Sequence, residues 1–229
     1  MTVTGHFIYL HLHKTGGTFV NEFLTRFVPD ARHIGYHLPR RLVPANFAHL
    51  PALGFVRNPW SYYVSWYVFQ TRRPQPNALF SVLSDNGRFD FEHTVANMLD
   101  LTTGQRLEAL VAALPRNYTN SGLNLPGFAI EAIRASGRGF YSYLYQYLYD
   151  APGIMHIRRL DHLRDELVPM LRAVGQPVSA AMDEYVRNAP AANKSEHAAY
   201  ADYYGQALRD MVAERDAEII TRHGFRFGE

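Results

Sequence analysis

The chain has 229 residues, 47 % of them apolar and 19 % charged, with a formal net charge of +2. That is enough for one sizeable core, and the whole chain, 1–229, reads as a single domain. The balance of charge argues against a disordered chain or a nucleic-acid coat protein. No cysteine occurs, which excludes disulfides, thiolate metal sites and thiol catalysis.

No apolar run approaches the roughly 20 residues that a membrane span needs. The opening "MTVTGHFIYLHLHK" has neither a basic leader nor a cleavage site, so no signal peptide is expected. The eleven histidines are scattered, and no metal is expected.

In chain order, "HFIYLHL" (6–12) is apolar and β-prone and predicts a buried strand. "TFVNEFLTRFV" (18–28) sets Phe19, Val20, Phe23, Leu24 and Phe27 at helical spacing and is closed by Pro29. Residues 31–44 predict a short strand leading into a loop. "ALGFVRNP" (52–59) predicts a second buried strand, and 60–73 a second helix. Strand, helix, strand, helix within about 70 residues is the rhythm of a parallel α/β sheet.

Residues 72–90 read as a loop, while 91–101 and 103–116 read as helices. Residues 117–128 are turn-rich. "GFYSYLYQYLYD" (139–150) is ambiguous. Its tyrosines at 141, 143, 145, 147 and 149 alternate as in a strand, yet Leu144 and Leu148 fit a helix. These tyrosines suit either a core helix or a platform for a sugar ring. Residues 153–175 predict strand, turn and amphipathic helix. Residues 196–225 predict one long terminal helix capped by Gly224.

The turn "HLHKTGGTFV" (11–20) joins the first strand to the first helix. A helix start offers backbone N–H groups and the positive end of a dipole, which together favour an anion. Gly16 and Gly17 allow close backbone approach, Thr15 and Thr18 add hydroxyls, and Lys14 adds a positive charge. The alternative is an ordinary turn with a capping Thr and a surface Lys. It is not a Walker A loop, because Lys14 precedes the glycines. A second stretch, "GFVRNPWSYYVSWY" (54–67), puts Arg57 at a strand end and Ser65 two turns into the next helix. An Arg fork there suits a second oxyanion. A salt-bridged Arg and a buried Ser are the alternative.

Together these stretches resemble the sulfotransferase superfamily, whose donor is 3′-phosphoadenosine 5′-phosphosulfate (PAPS). "LHLHKTGGTFV" is similar to the family's 5′-phosphosulfate loop, hxPKTGGT or hxPKTAGT. "FVRNPWSYYVSWY" is similar to its 3′-phosphate motif, FVRxPxxRxxSxY. "NKSEHAAYADYYGQALRDMVAERDAEIITRHGFRF" (193–227) resembles the tail of the carbohydrate-type branch. His13 departs from the family's usual Pro, and Tyr62 and Tyr63 surround a position that is often Arg or Lys. Residues 74–152 carry no resemblance.

The resemblance implies a P-loop-like three-layer α/β/α sandwich with a central parallel sheet and a long C-terminal helix. It implies that Lys14 meets the bridging oxygen of PAPS, and that Thr15, Gly16, Gly17, Thr18 and Phe19 hold the 5′ group. Arg57 and Ser65 would hold the 3′-phosphate, and Lys194 and Ser195 would close over the nucleotide. The product would be 3′-phosphoadenosine 5′-phosphate (PAP), with no metal needed.

The acceptor hydroxyl needs a base, and histidine serves near neutral pH. Family members of the carbohydrate-type branch often carry a His between the two donor motifs, and His37 occupies that stretch. His33 is its competitor, His11 and His13 flank the cradle, and Glu22 is a weaker alternative. Arg40 and Arg41 could meet an anionic acceptor, although a pair of solvated basic turns is the preferred reading. The expected activity is sulfation of a hydroxyl on a glycan, glycolipid or related metabolite, with no nucleic-acid partner. A cytoplasmic location, in a bacterial cytosol, is expected. The competing functions are an ATP-dependent small-molecule kinase and a non-catalytic PAPS- or PAP-binding module.

Overall fold

Short apolar strands separated by Gly- and Pro-marked turns, with helices between them, can bury their backbone only in a helix-flanked sheet. The computed structural model, which describes residues 1–101, 104–190 and 198–229, has that build. The elements run β1 (Thr2–Val3), β2 (Ile8–Tyr9), α1 (Gly17–Phe27), β3 (Arg32–His33), β4 (Ala52–Val56) and α2 (Pro59–Thr71). Then come α3 (Ala78–Leu83), α4 (Phe91–Leu99), α5 (Gly104–Ala113), α6 (Gly127–Ser136), α7 (Phe140–Tyr149) and β5 (Met155–Arg159). The chain ends with α8 (Leu163–Ala173), α9 (Ala180–Asn188), α10 (Gln206–Arg215) and α11 (Ala217–His223). Among the described residues no helix is long and apolar enough to cross a membrane.

The chain forms two compact units, Met1–Arg57 with Gln146–Lys194, and Asn58–Tyr145 with Ser195–Glu229. The first holds the sheet, in the order β3-β1-β2-β4-β5. β2 pairs β4 in parallel with Ile8 opposite Ala52, and β4 pairs β5 in parallel with Ala52 opposite Met155. The expected parallel sheet is thus a mixed one. β1 turns back through the tight turn of residues 4–7 and lies antiparallel to β2 and to β3. So short a connection permits only the antiparallel sense, since a parallel pair needs a long crossover.

On one sheet face Phe7, Tyr9, Leu53 and Phe55 meet Phe19, Phe23 and Leu24 of α1, Leu167 and Leu171 of α8, and Met182 and Val186 of α9. β4 is buried on both faces. At Gly54 an added Cβ would lie 2.4 Å from the Tyr149 hydroxyl oxygen, so only glycine lets that tyrosine lie on the strand. The hydroxyl donates to the Phe55 carbonyl oxygen at 3.1 Å.

In the second unit α2 is the central helix. Asn58 caps it, accepting from the amides of Trp60 and Ser61, and Pro59 starts its first turn. Tyr62, Tyr63, Val64, Ser65 and Trp66 are buried in succession, as expected of a helix enclosed on all sides. The ambiguous tyrosine stretch is helix α7. Tyr141, Tyr143, Tyr145 and Tyr149 are buried, so these four are core rather than a sugar platform.

Two other expectations are corrected. Residues 72–90 contain helix α3, capped by Asn77, whose side chain accepts from the Phe80 amide. The long terminal helix is broken into a short 3-10 turn at Tyr200–Tyr203, then α10 and α11, which meet at Asp216. Asp216 is 0 % exposed. It accepts from the Tyr63 hydroxyl at 2.7 Å and from the Ser142 amide at 2.8 Å. Drawing that carboxyl inward sets the bend. Gly224 does cap the last helix, in the left-handed conformation.

Candidate functional site

The turn between β2 and α1 is shaped by its own backbone. Lys14 and Gly16 both take left-handed φ values, 61° and 74°. The first is unusual for a residue with a Cβ and costs on the order of 1 kcal/mol. Gly16 is the N-cap of α1 and offers no side-chain cap to the first turn.

The two glycines are needed on their inner side. A Cβ on Gly16 would lie 2.9 Å from Leu160 Cδ1, and one on Gly17 would overlap the His11 ring at 1.9 Å. They let α1 start directly against the β2 end and the β5–α8 turn. Thr15 is buried and donates to the Leu12 carbonyl oxygen at 2.7 Å, bracing the loop with the hydroxyl that the sequence had suggested for a ligand. Thr18 is exposed on the first helical turn. The Phe19 side chain is core, stacked on Tyr185 at 5.8 Å with the Arg164 guanidinium 5.2 Å away. Only its backbone can face a ligand.

Arg57 leaves the end of β4, and its Nη1 donates to the Lys14 carbonyl oxygen at 3.5 Å. Two cations therefore share one corner of the first unit. Burial, and next the Arg57 charge, push the Lys14 ammonium down to about 8. Both influences disfavour the charged lysine.

His37 stands on the loop after β3 with φ 45°. Its Nδ1 lies 2.8 Å from the His11 carbonyl oxygen. A carbonyl can only accept, so Nδ1 carries the proton and Nε2 holds a lone pair. The His37 ring centroid is 4.5 Å from that of His11 and 5.3 Å from that of His13. Burial pushes His37 down to about 4, against the upward pull of its hydrogen bond to His11. Burial also holds His11 and His13 well below the usual imidazole range. His11 Nδ1 and Tyr9 Oη are buried with no hydrogen-bond partner among the described residues, a cost retained beside this turn.

Arg40, expected first in a solvated basic turn and otherwise at an acceptor, is instead structural. It is 5 % exposed, and its guanidinium donates to the carbonyl oxygens of Leu50, Pro152 and Ile154. It clamps the loop that carries His37 to the approaches of β4 and β5. That role had no signature in the sequence beyond an Arg after a Pro.

The first unit thus gathers Lys14, Thr15, Gly16, Gly17, Thr18, Phe19, His37 and Arg57. Ser65 belongs to the second unit, where it is 2 % exposed on α2. Lys194 and Ser195 lie outside the described residues. Among the described residues no group of three acidic or histidine side chains is arranged to hold a metal ion. No family model matches the chain, and no curated protein matches it.

Proposed function

We propose that the protein is a PAPS-dependent sulfotransferase acting on a hydroxyl of a carbohydrate-containing acceptor. One observation carries the reading: Lys14, Arg57 and the first turn of α1, to which Gly16 brings no side-chain cap, converge on a single turn, where burial and mutual repulsion weaken the lysine. Such a corner is relieved by an incoming oxyanion. The finer reading of the fold, a P-loop-like three-layer sandwich, goes with it. In its favour, β2, β4 and β5 are parallel and each is followed along the chain by a helix.

PAPS would supply an activated sulfuryl group with PAP as the leaving group. The residues fit that charge. Backbone N–H groups of Gly17, Thr18 and Phe19 bind the 5′ oxyanion, and Arg57 binds phosphate. Lys14 offsets the negative charge that grows on the bridging oxygen as its bond to sulfur breaks. His37 Nε2 takes the proton of the attacking hydroxyl. The His11 carbonyl holds the imidazole in the tautomer that leaves Nε2 open. Its low basicity keeps it neutral at pH 7, and an anion bound at Lys14 would raise it.

Calorimetric titration with PAP, AMP and ATP tests this. PAP is expected to bind in the micromolar range and AMP far more weakly. Tight ATP binding with no preference for the 3′-phosphate would overturn the reading in favour of a kinase.

A further inference from the structure

Beside His37 the first unit carries an aromatic edge that the donor site does not use. The Tyr36 ring centroid is 5.0 Å from His33, at 67°, and 6.3 Å from His37. Tyr36 is 48 % exposed, where most large aromatic side chains of the chain are buried. His33 is exposed as well. The edge therefore presents much of an aromatic ring to solvent, with the Tyr36 hydroxyl and His33 Nε2 at its rim, His33 Nδ1 being 3.5 Å from the Thr2 hydroxyl oxygen.

The imidazoles of this edge are disfavoured as cations. Burial, and next the nearby Met1 ammonium, lowers His33 below the usual imidazole range, and burial lowers His37 and His13 likewise. Of the two arginines that follow, Arg40 is buried and bonded to backbone carbonyls. The Arg41 guanidinium lies 4.3 Å from the Tyr147 ring centroid, and its Nη1 donates to the Tyr147 carbonyl oxygen. Neither builds a carboxylate or sulfate pocket at Tyr36.

We propose that Tyr36, with His33 at its edge, is a platform for an uncharged pyranose, the sugar's C–H face lying on the Tyr36 ring. Stacking places the sugar hydroxyls in the ring plane, so that one of them points across to His37. A pyranose suits this edge better than a phenol, because a ring with many hydroxyls can meet both the Tyr36 hydroxyl and His33 Nε2 while stacked. As the acceptor subsite it rests on the sulfuryl-transfer reading, but sugar binding itself needs no nucleotide.

The test is ligand-observed saturation-transfer NMR on the full chain without nucleotide, using methyl β-glucopyranoside, methyl β-glucuronide and phenol. The glucopyranoside is expected to be saturated by the wild type and by Tyr36→Phe. Its signal should fall about tenfold with Tyr36→Ala, the scale of one lost stacking contact. Three results would overturn the platform: no glucopyranoside signal, an unchanged signal in Tyr36→Ala, or a stronger signal from the glucuronide or phenol. Separate titration with PAP distinguishes the two ideas. Sugar binding without PAP binding keeps the platform and removes the sulfotransferase.

Discussion

The two units hold different titratable groups shifted by burial. In the first, beside the Tyr9 phenol, these are mainly bases: Lys14, His11, His13 and His37, all weakened by burial, the lysine also by a neighbouring cation. In the second they are acids, the Tyr62 and Tyr63 phenols and the Asp216 carboxyl. Burial pushes the Asp216 carboxyl up to about 6, although both of its oxygens receive hydrogen bonds. Asp216 is a closed arrangement with every partner supplied by the fold. The Lys14 corner instead sets two cations side by side, the arrangement that the proposed anion would relieve. On the proposed function, the contrast separates a group that holds helices together from groups that serve chemistry.

The largest effect that could break this contrast is on turnover. With PAPS and an acceptor sugar, Lys14→Ala is expected to lower turnover about a thousandfold while the urea midpoint stays put. Unchanged turnover would remove its role. Asp216→Ala should do the reverse. It strands the Tyr63 hydroxyl and the Ser142 amide, costing about 3 kcal/mol in urea unfolding, with Asp216→Asn recovering part. A loss below about 1 kcal/mol would mean that the carboxyl is not what joins α2, α7 and the α10–α11 bend. Arg57→Ala should weaken PAP binding by about ten- to a hundredfold. Equal weakening of AMP would take Arg57 out of a 3′-phosphate site.

The smallest effects are in pH. His37 sits below its unfolded value of 6.5, at about 4, so its contribution to stability is present above pH 6.5 and lost as pH falls to about 4. Asp216 sits above its unfolded 3.8, at about 6, so its contribution is present below 3.8 and lost as pH rises through 6. The two slopes oppose each other across nearly the same window. Asp216→Asn should therefore steepen the acid loss of stability between pH 4 and 6.5, and His37→Gln should flatten it. Identical profiles for both variants would contradict the opposed slopes. For ligand binding, Lys14 loses its proton as pH rises through about 8. PAP affinity should then fall between pH 7 and 9 in the wild type but not in Lys14→Arg.

What could be read from the sequence was local. β2 with α1, β4 with α2 and β5 with α8 are each marked by an apolar run, a Gly or Pro, and helical spacing beyond it. The Lys14 turn and Arg57 stood out for the same reason. What escaped has distant causes. Nothing in "AERDAEII" signals a break, because Asp216 is drawn in by Tyr63 and Ser142, 153 and 74 residues away. The burial of Arg40 depends on carbonyls up to 114 residues distant. Helix α3 did have a local sign, Asn77 before "ALFSVL", masked by the prolines ahead of it. In α7 the alternating tyrosines imitate a strand because the helix is buried on most sides, which erases the usual polar face.

The sheet also sets a timetable. β4 is complete at Val56, but its parallel partner β5 begins at Met155, after the whole of the second unit's first segment. At ordinary rates of synthesis, β5 leaves the ribosome about 5 to 20 s after β4. Through that interval a fully apolar strand waits with one edge unpaired. An unpaired apolar edge of that kind is what a chaperone or transient cover shields in a newborn chain.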